Sequence, residues 1–208
     1  MNNIVIIDYW MWNLGSILNM IKKNGVEAII SNDIDIINKA DKLILPWVWN
    51  FYMWMEQLNK LGLIDIIKEK VLKFNTPILW ICLWYQLLAN KSEEWNVNWL
   101  WLIDANVIKF DCKELDSKWL KSIHMWWNCI KLIKKSILFK DIWNEPRFYF
   151  VHSYFMENNN KEDILSISNY WKEFTSSIEK NNIFWVQFHP EKSHKFWEKL
   201  IYNFIYNI

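Results

Sequence analysis

The chain has 208 residues, 52% of them apolar, enough to bury a core in one domain of ordinary to large size. Its 24 basic and 23 acidic side chains leave a formal charge of +1 and form no basic block that would neutralise phosphates, which argues against nucleic acid as a partner. No apolar run approaches the roughly 18 residues that span a bilayer, and residues 1–8 run into a strand pattern without a signal-peptide layout, so a cytoplasmic protein without a membrane partner is expected.

Taken in chain order, residues 4–8, 28–31, 42–46 and 78–82 are compact runs rich in Ile, Val and Leu, the composition of strands buried on both faces. Helical patterns lie between them. Residues 14–24 place Leu14, Ile17, Leu18 and Ile21 on one face, with Gly25 as the stop. Residues 63–74 repeat the pattern with Ile66, Ile67, Val71 and Leu72. Strands alternating with helices imply right-handed crossovers and a parallel sheet. The second half changes character. Residues 103–110, 129–133, 147–151, 164–170, 174–179 and 183–189 read as short strands joined by polar turns, 157–161 as a polar loop, and 193–205 as a closing helix with Phe196, Leu200 and Phe204 on one side. The expected fold is therefore α/β: a mixed, mainly parallel central sheet flanked by helices, with antiparallel strands added in the second half. No repeat or linker divides the chain, so residues 1–208 are read as one domain.

Three cysteines, Cys82, Cys112 and Cys129, are widely spaced and form no C-x-x-C pair, which argues against a disulfide framework or a zinc site. Cys82 ends the apolar strand Ile78-Leu79-Trp80-Ile81 and precedes a short helical pattern. In an open α/β sheet that is where ligands bind, and a helix N-terminus favours the thiolate. A buried structural cysteine would look the same in isolation. A second strand, Phe184-Trp185-Val186-Gln187-Phe188, runs into His189-Pro190-Glu191. A histidine accepts a thiol proton and a carboxylate two residues on holds the imidazole in the required tautomer, the division of labour of a nucleophile, base and orienter.

Together these segments resemble the class I glutamine amidotransferases, which carry G-x-C-x-G around the nucleophile and a late H-P-E. Within that family the chain looks most like the glutaminase subunit of imidazole glycerol phosphate synthase. Asp8-Tyr9-Trp10-Met11-Trp12-Asn13-Leu14 is similar to D-Y-G-M-G-N-L, and Leu45-Pro46-Trp47-Val48-Trp49 to L-P-G-V-G. His124-Met125-Trp126-Trp127-Asn128 is similar to H-M-G-W-N, and Tyr149-Phe150-Val151-His152-Ser153-Tyr154 matches Y-F-V-H-S-Y. The resemblance covers essentially the whole chain and implies a flavodoxin-like fold. It implies Cys82 as nucleophile, His189 as proton shuttle and Glu191 as orienter, with backbone N–H groups at Val48 and Leu83 forming the oxyanion hole. Gln86, Glu94, His152, Ser153 and Tyr154 would hold glutamine. Asn13, Met125, Trp127 and Asn128 would face a cyclase or synthase subunit in a heterodimer, to which ammonia passes without meeting bulk water. No cofactor and no metal are implied. Tyr85 departs from the methionine common at that position.

One count is abnormal: 3 glycines stand beside 17 tryptophans, where average usage of about 7% would give roughly 15 glycines. At positions 10, 12, 47, 49, 80, 84, 99, 101, 126, 171 and 185 the family pattern has glycine and this chain has tryptophan. Trp54, Trp95, Trp143 and Trp197 stand in turn or helix-end contexts where glycine would be unremarkable. Glycine serves such sites because positive φ or close backbone approach forbids a side chain. Indoles at Trp80 and Trp84 are expected to collide with the strained turn around Cys82, and Trp47 and Trp49 to obstruct the oxyanion strand. At about 1 to 3 kcal/mol per overpacked site the sum exceeds a typical stability of about 5 to 15 kcal/mol. The pattern predicts a gene that reads UGA as glycine; an aromatic binding surface is the rival explanation, but it needs exposed rings.

The expected activity is glutamine hydrolysis coupled to formation of imidazole glycerol phosphate in histidine biosynthesis. Alternatives are the same glutaminase serving a sugar-amidating synthase, a non-catalytic docking subunit, and a cysteine peptidase of the same broad fold.

Overall fold

The computed structural model describes residues 3–9, 14–46, 51–82, 88–94, 102–111, 113, 115, 120–142, 145–189 and 194–208. Strands β1 (Ile4–Ile7), β2 (Ala28–Ser31), β3 (Lys42–Leu45) and β4 (Ile78–Ile81) pair in parallel in the order β2-β1-β3-β4. Every residue of β1, β3 and β4 is buried, as strands covered on both faces must be. Successive side chains point to opposite faces, so the strands divide their residues between two cores. Val5, Ile7, Leu43, Leu45, Ile78 and Trp80 pack with Ile37 of helix α2 (Ile34–Asn38), Leu58 of α3 (Phe51–Lys60) and Leu63, Ile66 and Ile67 of α4 (Leu63–Lys68). Ile4, Ile6, Ile44, Leu79 and Ile81 pack with Leu14, Ile17 and Ile21 of α1 (Leu14–Lys23) and with Leu200, Ile201 and Phe204 of α5 (His194–Tyr206). The result is a sheet between two helical layers.

Local chemistry explains several boundaries. Gly25, at φ +76°, follows α1 where left-handed backbone is required. Asp33 caps α2, its carboxylate accepting from the amides of Asp35 and Ile36 at 2.8 and 3.4 Å. The buried Lys42 ammonium donates to the carbonyls of Phe204 and Ile205 at 2.9 and 2.6 Å, closing the end of α5. The helix expected over 63–74 arrives in two pieces: α4 ends at Lys68 and a π-helical turn, Glu69–Lys73, follows. That wider turn keeps Val71 buried but carries Leu72 off the apolar face to 65% exposure, contrary to the periodic reading. Helices α2 and α3 were not expected; α2, at five residues, is too short for a 3.6-residue period to register.

In the second half, β13 (Ile183–Val186) joins β4 in parallel, and β12 (Glu173–Lys180) lies antiparallel beside it. Next come β10 (Tyr154–Asn158), β6 (Ala105–Lys109) and the short β5 (Lys91–Ser92), while β11 (Ile164–Asn169) bridges β12 and β8 (Lys131–Leu132). The mainly parallel half with antiparallel additions is as expected. Two corrections concern membership. β7 (His124–Cys129) and β9 (Arg147–His152) form a separate antiparallel ribbon and do not extend the main sheet, because the chain bends at Ser153 and re-enters the sheet as β10. Glu157 and Asn158, read as loop, complete β10 through pairing with Asn106 and Ala105.

Candidate active site

The parallel register of β4 and β13, with Ile81 opposite Val186, brings the ends of both strands to the same edge of the sheet. Cys82 leaves β4 at φ +59°, a left-handed conformation that a non-glycine residue adopts at a cost and that is typical of a nucleophile on a sharp turn. Its thiol is 1% exposed. His189, also 1% exposed, presents Nε2 to Cys82 Sγ at 3.2 Å, within reach for proton transfer. The His189 backbone is held in place, since its amide donates to the Tyr149 carbonyl at 2.8 Å and the two residues form an antiparallel bridge.

Ribbon strand β9 connects this pair to a second histidine set. His152 Nδ1 lies 2.7 Å from the Tyr154 carbonyl and must donate to it, which leaves Nε2 of the neutral ring as an acceptor. His124 Nδ1, at 3.0 Å, is the donor that meets it. His124 Nε2 then accepts from the Asn128 amide at 3.4 Å, and Asn128 also donates to the Asn169 carbonyl at 2.6 Å. Burial pulls the His124 pKa down to about 4. Burial, then the neighbouring His124, lowers His152 well below the ordinary histidine range, with His189 acting in the same direction and the Tyr154 hydrogen bond opposing. His124 stacks against Phe150 and Tyr170 at ring-centroid distances of 5.0 and 4.3 Å. The neutral pair is thus a fixed chain of defined tautomers.

Of the residues expected at the site, Cys82 and His189 are brought into contact. His152 is held by Tyr154, and the Ser153 carbonyl accepts from the Phe110 amide at the turn between β9 and β10. Glu94 lies just past β5, its amide donating to Ser92 Oγ at 3.0 Å. Met125 is 50% exposed on β7, and Trp127 packs edge-on to Tyr149 with centroids 5.8 Å apart. Glu191, Val48, Leu83, Gln86 and Asn13 lie outside the described residues, as do Trp10, Trp12, Trp47, Trp49, Trp84, Trp99 and Trp101. Among the described residues no group of three or more His, Cys, Asp and Glu could hold a metal ion, and no helix is long and apolar enough to cross a membrane.

Positive φ, one of the two reasons glycine serves such positions, is absent at Trp80 and at the other described family-glycine positions. Trp80, Trp126, Trp171 and Trp185 all lie outside the left-handed region. Trp80 and Trp185 are opposite one another in the parallel register, both fully buried on the same face of the sheet. Mid-strand positions are extended, so backbone angle sets no bar to a side chain there, and both indoles lie in the core beneath α2 to α4. Trp185 also donates its indole N–H to the Cys82 carbonyl at 2.8 Å. Neither this contact nor one from the Gln187 carboxamide to Cys82 Sγ, at 3.6 Å, was anticipated from sequence. The period-two spacing of 185, 187 and 189 along one strand was the available signal.

The family model for glutamine amidotransferase class-I matches residues 5–208. The chain is 50% identical to imidazole glycerol phosphate synthase subunit HisH 2 of Methanococcus maripaludis, over 97% of this chain and 98% of that one. It is 40% identical to the subunit of the same name from Pseudomonas aeruginosa, with the same coverage of both chains. Among solved structures, a glutamine amidotransferase from Thermotoga maritima superposes with a TM-score of 0.71 at 12% identity, covering 99% of this chain and 97% of that one. A putative GMP synthase component from Thermoplasma acidophilum gives 0.70 at 17% identity, covering 99% and 92%. At such identities these two likenesses bear on the fold.

Proposed function

The chain belongs to the class-I glutamine amidotransferases, and on that premise we propose that it hydrolyses glutamine to glutamate and ammonia and passes the ammonia to a synthase subunit forming imidazole glycerol phosphate in histidine biosynthesis. The observation that carries this reading is the 3.2 Å approach of His189 Nε2 to Cys82 Sγ at the shared edge of β4 and β13. His189 takes the thiol proton, and the sulfur attacks the side-chain amide carbon. The C–N bond breaks as His189 returns the proton to departing ammonia, leaving a thioester. Water, losing its proton to His189, then adds to the thioester carbon, and the C–S bond breaks to release glutamate.

Glu191 orients the imidazole in this proposal, and the amides of Val48 and Leu83 receive the oxyanion. Gln86, Glu94, His152, Ser153 and Tyr154 hold glutamine. The locked tautomers of the His124–His152 pair support that assignment for His152 to Tyr154, since they hold the β9–β10 turn in one conformation. Asn13, Met125, Trp127 and Asn128 form the docking face of a heterodimer, a reading supported by the exposure of Met125 on the ribbon. Residues 1–208 act as a single domain, working in the cytoplasm.

The experiment uses the chain carrying glycine at the eleven tryptophan positions named above, assembled with its synthase. Cys82→Ala abolishes glutamine-dependent turnover while ammonia-dependent turnover continues; unchanged glutaminase activity would sink the proposal. A second reading keeps the glutaminase and changes its partner to a sugar-amidating synthase. Which synthase stimulates glutamine hydrolysis on mixing separates the two readings.

A further inference from the structure

The segment that continues β13 toward His189 sorts its side chains by parity. Phe184, Val186 and Phe188 enter the core shared with α1 and α5. Trp185, Gln187 and His189 all turn to Cys82, the first to its carbonyl and the other two to its sulfur. Gln187 is fully buried, and its backbone amide is engaged with the Ser176 carbonyl at 2.9 Å. Its side-chain Nε2 lies 3.6 Å from Cys82 Sγ, a hydrogen-bonding distance for the larger sulfur atom, while Oε1 has no hydrogen-bond partner among the described residues.

We propose that Gln187 is a further catalytic residue of this site, a fixed N–H donor to the Cys82 sulfur whenever that sulfur carries negative charge. The proposal rests on the glutaminase reading above. In that reaction the sulfur is anionic twice. It is so first when His189 has taken the thiol proton and the C–S bond is about to form, and again when the C–S bond of the hydrolysing thioester breaks and the sulfur departs with the electron pair, to be reprotonated by His189. In both steps His189 is occupied with the proton. A carboxamide does not titrate, exchanges no proton and keeps its N–H throughout, so it stabilises the anion without entering the proton balance. Among the described residues, His189, from the same strand extension, is the titratable group hydrogen-bonded to the sulfur, and His152 on β9 interacts with His189 in turn.

The orphan oxygen bears on why glutamine stands here at all. A buried carboxamide with one end unsatisfied is less stable than an apolar side chain of similar length in the same space. Packing and stability therefore favour methionine or leucine at 187, and the residue present is explained by its N–H. A tie holding the fold would span two backbone groups, as the Nδ2 groups of Asn203 and Asn182 each donate to two carbonyls; Gln187 Nε2 meets a single sulfur.

The test compares Gln187→Met, similar in length and without a donor, and Gln187→Glu, similar in shape with an acceptor facing the sulfur, against the parent chain and Cys82→Ala, each assembled with the synthase. Glutamine hydrolysis is resolved into kcat and KM, and thermal melting is recorded. Loss of one donor to a charged group corresponds to a fall in kcat on the order of 10 to 100-fold, with KM held within about threefold. In Gln187→Met the melting temperature stays at or above that of the parent. Parent-like kcat in Gln187→Met, or a kcat loss that comes with a lowered melting temperature, overturns the proposal. Should Cys82→Ala itself retain glutamine turnover, the glutaminase reading fails; a silent Cys82→Ala beside a fully active Gln187→Met removes only the role of Gln187.

Discussion

His124→Gln isolates the energetic consequence of burying a neutral histidine pair beside the candidate active site. His124 is 1% exposed, stacked against Phe150 and Tyr170, and hydrogen-bonded to His152. Burial lowers its pKa from 6.5 to about 4. Between those values the unfolded chain binds a proton that the folded chain does not, so the contribution to stability is complete above pH 6.5 and is lost as pH falls toward 4. At about 1.4 kcal/mol per unit, the loss is about 3 kcal/mol over the whole range, of which about 2 kcal/mol has gone by about pH 5. His152 is displaced in the same direction and adds to the effect. Urea unfolding of the parent at about pH 7.5 and about pH 5 measures the total. Glutamine at 124 keeps an amide donor and acceptor but has no proton to gain, and it reduces the pH-dependent loss by at least about 1 kcal/mol. An equal loss in parent and variant would refute the assignment of the acid sensitivity to this pair.

His189→Asn, in the glycine-bearing chain with its synthase, lowers glutamine kcat by about 10² to 10⁴-fold, the usual worth of a general acid–base; steady-state assay with glutamine checks it, and a loss under about tenfold contradicts the proton-shuttle role. Asn203→Ala removes a fully buried amide that donates to the carbonyls of Leu138 and Lys140 at 3.0 and 2.7 Å, tying α5 to the turn at Ile137–Phe139. Denaturant titration should show a loss of about 1 to 3 kcal/mol without change in KM. For the tryptophans, sequencing the coding DNA should find UGA at the eleven positions and peptide mass mapping of the chain from its own cells should find glycine. UGG codons there would end the recoding idea.

Much of the site was legible because its parts are local. Cys82 and His189 each end an apolar run, where an α/β sheet binds its ligands, and because a buried structural cysteine looks the same in isolation it was the joint resemblance of several short segments to one family that singled the pair out. The helix stop at Gly25 was equally local, since only left-handed backbone was at issue. For Gln187 the sequence offered only its period-two spacing with Trp185 and His189, because its meaning depends on a sulfur atom 105 residues earlier. The switch of β9 out of the main sheet and the return as β10 escaped detection for a related reason, because a bend at a single serine leaves the apolar pattern on either side unchanged.

The amino-acid sequence by itself determined the class of fold and the division of strand residues between two cores, which follow from short-range patterning, and it marked Cys82 and His189 as the candidate nucleophile and base through their resemblance to one family. Only the tertiary structure decided which side chains meet. The in-register parallel pairing of β4 with β13 converts two distant strand ends into one candidate site, and it sets Trp80 opposite Trp185 where the family pattern has glycine. The antiparallel ribbon sets His124 opposite His152, and burial there holds both rings neutral, because taking a charged imidazole out of water costs more than the surrounding hydrogen bonds return.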